Sequence, residues 1–339
     1  MSEIKKKVII IAEAGVNHNA SLERARRMVV EAARAGADYV KFQTAVPELV
    51  ISSVAPKAEY QKETTGEGES QLDMCRAIHL PLSDYAGLAR LCREVGIGFM
   101  STPFDLVSID TLEPLGMDYW KIPSGEITNL PYLRKIASKP GKVILSTGMS
   151  TLQEVDEALK VLERNGKPRS EVILLHCTTQ YPTPYSAVNL RAMLKLEELG
   201  CAGVGYSDHT LGIEVPVAAV ALGATVIEKH FTLDKTLPGP DHRASLDPEE
   251  LAAMVSAIRH TEEALAGSGL KEVAEAERPN IEVARKSIVA ARDIRKGELF
   301  TEENITVKRP GNGISPMQWD SVIGKTAVRD FPYDTLIEL

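Results

Sequence analysis

The sequence predicts an α/β protein, a (β/α)8 TIM barrel followed by a small, mainly-β domain. Three observations predict it. Eight short apolar runs punctuate residues 1–230, nearly every run ends in polar, reactive side chains, and stretches of helical length separate them. A chain of 339 residues accommodates one such barrel with a small appendage.

The runs fall in order. Val8–Ile11 leads into Glu13, Tyr39–Val40 into Lys41 and Gln43, Ile97–Met100 into Ser101 and Thr102, and Tyr119–Ile122 into Ser124 and Glu126. Val143–Leu145 leads into Ser146 and Thr147, and Val172–Leu175 into His176 through Tyr181. Val204–Tyr206 leads into Ser207, Asp208 and His209, and Thr225–Ile227 into Glu228 and His230. Barrel chemistry sits at the C-terminal ends of the strands, so these side chains are the candidate site.

Helices are expected over Leu22–Ala35 and near 84–95, 151–164 and 248–266, where apolar residues recur every three or four positions. Ser21, Ser83, Ser150 and Asp247 precede them as N-terminal caps, and Gly36 closes the first. Pro216 falls early in a helix, where its missing N–H costs little. The connection 44–82 is unusually long and contains a polar stretch, Pro56–Gln71, which is expected to form a functional lid on the catalytic face.

The barrel is expected to occupy residues 1–270. The charged segment 271–284, with Pro279 and no strong core face, reads as a linker to a domain over 285–339. In that domain SIVAARDI, FTEENITVKR and TLIEL look like short strands. A core for so few residues is marginal, so the tail is expected to pack on its own barrel or on a partner subunit.

Apolar residues at 44% and charged residues at 25% are ordinary for a soluble enzyme. A net charge of −8 argues against nucleic-acid or membrane partners, so an anionic substrate would need local cations. Cys75, Cys92, Cys177 and Cys201 show no CxxC spacing and read as reduced thiols of a cytosolic protein. The N-terminal apolar run is too short for a signal or a membrane span.

His209 and His230 close neighbouring strands, which lie ~4.8 Å apart, so the two imidazoles can share one cation. Such a pair leaves positions open for water and substrate. The rival reading is that each histidine ends a strand by bonding to backbone. Lys41 and Lys121 end strands too, and a lysine in a barrel mouth needs an anion. With the hydroxyls of Thr102, Ser124, Ser146 and Ser207 they form a phosphate or carboxylate site. The alternative is a structural network with Glu13, Glu126 or Glu228. No GxxxxGK[ST] or strand-linked GxGxxG is present.

Glu126, between a lysine and a loop, suits proton transfer; it equally suits the start of a helix. Glu13 has the same ambiguity. Cys177 reads as a core thiol beside an oppositely facing His176 rather than a nucleophile. His18, His79, His242 and His260 show no partner pattern. Asp241 follows the last strand and could reach the mouth to bind sugar hydroxyls.

The strings IAEAGVNHN, VKFQT, STPFD, KIPSGEITNLPYL, ILSTGM, LLHCTTQYPTP, GYSDHT, VIEKHFTLDK and GPDH together resemble the sialic acid synthase family. The tail, with RKSIVA, IRKGE and VKRPGNGISPM, resembles that family's antifreeze-like (SAF) domain. The resemblance covers essentially the whole chain. It implies an N-acetylneuraminate synthase, a transferase that condenses phosphoenolpyruvate with open-chain N-acetylmannosamine and releases phosphate by C–O cleavage. It also implies a divalent metal, Mn2+ or Mg2+, on His209 and His230. Phosphoenolpyruvate contacts carry over to Lys41, Thr102, Lys121, Ser124, Ser146 and Ser207. Sugar contacts carry over to Gln43, Glu126, Tyr181, Asp241 and Arg309. A domain-swapped homodimer is implied, in which Arg309 enters the other subunit's barrel. Thr178–Thr179–Gln180 departs from relatives that carry Asn before the tyrosine. GVNHN and CTTQYP look at least as much like the branch that makes legionaminic acid from 2,4-diacetamido-2,4,6-trideoxymannose. The rivals from other classes are a metal-dependent hydrolase using Asp208, His209 and His230, and a carbohydrate-binding protein led by the tail.

Overall fold

The computed structural model describes residues 7–66, 68 and 70–339. Eight parallel strands follow in order: β1 Ile9–Gly15, β2 Tyr39–Thr44, β3 Gly98–Pro103, β4 Tyr119–Ile122, β5 Lys142–Ser146, β6 Val172–His176, β7 Gly203–Asp208 and β8 Val226–His230. They hydrogen-bond in the series β3-β2-β1-β8-β7-β6-β5-β4, and β3 and β4 lie side by side, which completes the ring. Strands covered on both faces need apolar residues at successive positions, and runs such as Ile9–Ala12 and Val172–Leu175 supply them.

Side chains alternate across a strand, and here the alternation stacks two layers. Ile11, Met100, Tyr119, Ile144, Ile173, Leu175 and Val226 form an apolar plug inside the ring. Two residues further along several of these strands stand Glu13, Thr102, Lys121, Ser146, Cys177 and Glu228. The polar layer therefore rests on a dry floor. The opposite strand faces pack against the helices; Ala25, Met28, Val29 and Ala32 are the buried stripe of the helix Leu22–Arg34.

The helix expectations are refined at their ends. The Ser21 hydroxyl accepts from Arg24 N, and Gly36, at φ +83°, makes the left-handed turn after the helix. Ser83 does not cap. A 3-10 turn, Leu82–Asp84, precedes Tyr85–Val95, which has no side-chain cap. Thr151, one residue beyond Ser150, caps Leu152–Arg164 with Glu154 bonding back, and Asp247 and Glu250 do the same for Pro248–Leu265. The connection after β2 is not loop throughout. It carries the short helices Pro47–Val50, Glu59–Thr65 and Gln71–Ile78.

The chain divides into two compact units, Met1–Ala266 and Gly267–Leu339. In the second, β9 Ser287–Ala290 pairs antiparallel with β10 Ile305–Lys308. TLIEL contributes one bridge, Leu336 to Val289, rather than a strand. Within 271–284 a helix, Arg278–Ala284, replaces the expected featureless linker; Glu282 O accepts from Gly311 N and Ala284 O from Arg309 Nε. The small unit encloses a core of its own, including Ile288, Ile294, Phe300, Ile305, Phe331 and Ile337. The core is less marginal than the length suggests: Phe300 and Phe331, ring centroids 5.8 Å apart, supply the bulk.

No helix among the described residues is long and apolar enough to cross a membrane, and the four cysteines form no disulfide with one another.

Candidate active site

The C-terminal strand ends enclose a cavity of about 320 Å3. Strand register sets its floor. Glu13 is level with Lys41 on one side and His230 on the other, Ser207 with Glu228, and Gln43 with Thr102. Glu13, Lys41, Gln43, Thr102, Lys121, Ser124, Ser146, Tyr181, Ser207, His209, Glu228, His230 and Asp241 all line the cavity.

The two lysines are buried and bonded to hydroxyls: Lys41 Nζ donates to Thr102 Oγ1 at 2.9 Å and Lys121 Nζ to Ser146 Oγ at 2.8 Å. Glu228 is the hub between them, 3.6 Å from each ammonium, and accepts from Ser207 Oγ at 3.0 Å. Glu13 Oε2 lies 2.8 Å from Lys41 Nζ, an ion pair off hydrogen-bond geometry, while Glu13 Oε1 accepts from Gln43 Nε2 at 3.0 Å. Ser124 Oγ accepts from Gly148 N at 3.0 Å. The lysines are thus ion-paired with Glu13 and Glu228, as the structural-network reading has it, and they also face the cavity.

Burial disfavours charge throughout, and the partners decide the outcome. Burial would raise Glu228, but Lys121 and Lys41 hold it at about 2. Glu13 is raised, by burial first and by Glu228, against the pull of Lys41. Lys41 stays charged because Glu13 and Glu228 overcome its desolvation; the Lys121 amine is pushed down by burial. Asp241 is pushed up to about 7 by burial, with Glu13 adding.

His209 donates Nδ1–H to Thr178 O at 2.7 Å, which leaves Nε2 with a free lone pair. Burial pushes His209 down to about 4 and His230 well below its usual value, so both rings are neutral. Their centroids are 5.5 Å apart, and His230 Nδ1 is buried without a hydrogen-bond partner. Neutral imidazoles, one fixed in tautomer by a carbonyl, fit a divalent cation. Among the described residues no group of three or more His, Cys, Asp or Glu is placed around a metal. The donor set is therefore two nitrogens, and the rest of a coordination sphere would come from water and substrate. Tyr181 stands over the pair, its ring 4.0 Å from His209 and 5.7 Å from His230, centroid to centroid.

Two predicted residues are not brought to the wall. After β4 the chain enters a 3-10 turn, Ser124–Glu126, in which Ser124 and Gly125 line the cavity and Glu126 does not. The Glu126 carboxylate accepts instead from Asn129 Nδ2 at 2.6 Å. Arg309 belongs to the second unit, where it is exposed and bonded to Ala284 O. Asp208, one of the three residues of the hydrolase reading, is buried on the other strand face in an ion pair with Lys229 and accepts from Thr210 N at 3.0 Å. Cys177 lines the cavity 3.3 Å from Ser124 Oγ, and burial raises its thiol, so it is no thiolate nucleophile. His176 bonds to Val188 O at 2.8 Å.

The sequence reading offered Glu228 only as one of three counter-ions for the lysines, although its place two residues before His230 put it on the same strand face. It also missed Tyr60 and His79. Tyr60, from the Glu59–Thr65 helix, stacks on Tyr181 with centroids 5.0 Å apart and planes at 27°. No periodicity in residues 56–71 signals that contact.

A barrel whose mouth holds two buried ammonium groups, a ring of hydroxyls and a neutral histidine pair defines an enzyme for small anionic substrates. Comparison with known proteins makes the class specific. The NeuB family model matches residues 28–271 and the SAF domain model residues 285–338. The chain is 52% identical to an N,N'-diacetyllegionaminic acid synthase of Campylobacter jejuni, over 98% of this chain and 99% of that protein. It is 49% identical to the protein of the same name in Legionella pneumophila, over 93% and 89%. The human N-acetylneuraminate-9-phosphate synthase is 37% identical over 93% and 87%. A crystal structure of N-acetylneuraminic acid synthetase from Leptospira borgpetersenii superposes with a TM-score of 0.70 at 34% identity, covering 82% of this chain and 91% of that one. The chain belongs to the NeuB family, the phosphoenolpyruvate-dependent nonulosonic acid synthases.

Proposed function

We propose that the enzyme joins phosphoenolpyruvate to 2,4-diacetamido-2,4,6-trideoxymannose, forming N,N'-diacetyllegionaminate. The carrying observation is the buried lysine pair set in hydroxyls beside two neutral histidines in one cavity. The higher identity to the two legionaminic acid synthases than to the human neuraminate-9-phosphate synthase favours this acceptor. N-acetylmannosamine, the acceptor first expected from the sequence, is the second reading, supported by the Leptospira structure.

In the reaction C3 of phosphoenolpyruvate bonds to the aldehyde carbon, and the aldehyde oxygen gains a proton. Water adds at C2 and loses a proton, and phosphate leaves with cleavage of the C2–O bond. Lys41 and Lys121 bind the anion, and their hydroxyl partners Thr102 and Ser146, with Ser124 and Ser207, orient its oxygens. Glu13, with its raised carboxyl, holds and returns a proton at the aldehyde oxygen or the water. Gln43, Tyr181 and Asp241 face the sugar. His209 and His230 would hold Mn2+ or Mg2+, which when bound polarises the aldehyde. A homodimer in which Arg309 reaches the other barrel, and a cytoplasmic location compatible with four cysteines that form no disulfide with one another, complete the reading.

Phosphate release from phosphoenolpyruvate, measured with a panel of acetamido sugars with and without Mn2+, tests it. Release that needs both the diacetamido sugar and the metal is expected. Equal release with every sugar, or none with any, overturns the acceptor assignment; full activity in chelator overturns the metal.

A further inference from the structure

The cavity is asymmetric in charge. Its floor, at the strand ends, carries the lysines, carboxylates and histidines. Its roof, built by the connection after β2, presents Val50, Ile51, Met74 and Ile78, with Phe104 beside them. Met74 is 3% exposed, and Val50 is 37% exposed at the end of its helix. Tyr60, Gln61, Gln71 and His79 stand in the same roof, polar but without the formal charges of the floor. Resting on the proposed reaction, the acceptor's C1 must meet phosphoenolpyruvate and the histidines at the floor. An open-chain hexose held there by C1 extends C4 to C6 away from the charges, toward the roof.

We propose that this apolar roof selects the acceptor, with Val50 and Met74 as specificity-determining residues that seat a C6 methyl and a C4 acetamido methyl. A sugar with hydroxyls at C4 and C6 sets two polar groups against aliphatic side chains, which strips their water without returning hydrogen bonds. The Gln71 amide and Tyr60 phenol offer partners for the acetamido N–H and C=O, which a C4 hydroxyl uses less fully. The roof therefore discriminates at the end of the sugar that takes no part in bond making. Discrimination by one small apolar group is on the order of 10–200-fold.

The test compares kcat/KM for 2,4-diacetamido-2,4,6-trideoxymannose and for N-acetylmannosamine in the wild-type enzyme, Val50→Asn and Met74→Gln. Each variant is expected to lower the ratio by about tenfold or more with little change in KM for phosphoenolpyruvate. Val50 sits on a short helix at the cavity edge, so Val50→Asn decides the matter if Met74→Gln fails to fold. A ratio unchanged in Val50→Asn, or equal losses on both sugars, overturns the role of the roof while leaving the proposed reaction standing. A wild-type enzyme that prefers N-acetylmannosamine overturns it as well. Failure of the wild type with both sugars overturns the proposed reaction itself.

Discussion

Lys121 is bonded to Ser146, lies 3.6 Å from Glu228 and faces open cavity, so its removal has two separable consequences. A charge-assisted contact contributes roughly 1.5–3 kcal/mol, so Lys121→Met should raise KM for phosphoenolpyruvate about tenfold or more. A large drop in melting temperature with unchanged KM would mark the lysine as a structural counter-ion instead. Proton transfer divides between two glutamates in a similar way. Glu13 faces the cavity and Glu126 turns to Asn129, so Glu13→Gln should lower kcat by ~10²–10⁴-fold and Glu126→Gln by much less. The reverse order of losses would return the role to Glu126. Asp241 gives a pH signature. Its carboxyl is raised from 3.8 to about 7, so folding favours the protonated form. Its contribution to stability is full below the unfolded value and is lost as pH rises through about 7. The melting temperature of Asp241→Asn relative to wild type should therefore climb between pH 5 and pH 8; a flat difference would show the carboxyl to be ionised in the fold throughout.

At the scale of elements, the strand ends were legible because period-two alternation fixes which residues face inward once a strand is recognised. Ser207 and His209 at the end of one strand, and Glu228 and His230 at the end of the next, are spaced by two in this way, and all four line the cavity. The roof was legible only as a long polar connection. Its helices are four to eight residues long, and Val50, Met74 and Ile78 point their apolar side chains at a cavity rather than a core, so no helical stripe emerges from the sequence. Glu126 was misplaced for a related reason: spacing from Lys121 does not reveal where the chain turns after β4. The Tyr60–Tyr181 stack links the roof to the histidine pair, and aromatic pairs contribute about 0.5–1.5 kcal/mol beyond buried area. Tyr60→Ala should raise KM for the acetamido sugar several-fold while KM for phosphoenolpyruvate holds, and Tyr60→Phe, which keeps the ring and loses only the phenol's hydrogen bond, should raise it less. Equal effects of Ala and Phe would assign any loss to the phenol oxygen rather than to the stack.

At the scale of the molecule, two bodies were legible from the shift to charged, Pro-containing sequence near 271–284, but the self-sufficiency of the smaller was not. Size alone suggested a marginal core, whereas Ile288, Phe300, Ile305 and Phe331 close one around two short strands. The proposal that Arg309 enters a partner's site consequently cannot rest on a tail that needs support; it rests on an exposed guanidinium, suited to carboxylate or polyol recognition. Subunit mixing tests it directly. In the proposed homodimer, Arg309→Ala and His209→Ala enzymes should each be inactive. In a hybrid with exchanged tails, one site combines the intact His209 of one chain with the intact Arg309 of the other, while the second site carries both defects. Random exchange yields about half hybrids, each with one competent site, so activity should reappear on mixing in proportion to hybrid formed. Hybrids isolated by differential tags that stay inactive would place Arg309 in its own chain's site or outside the reaction. An Arg309→Ala homodimer with full activity would remove the residue from the site without recourse to mixing.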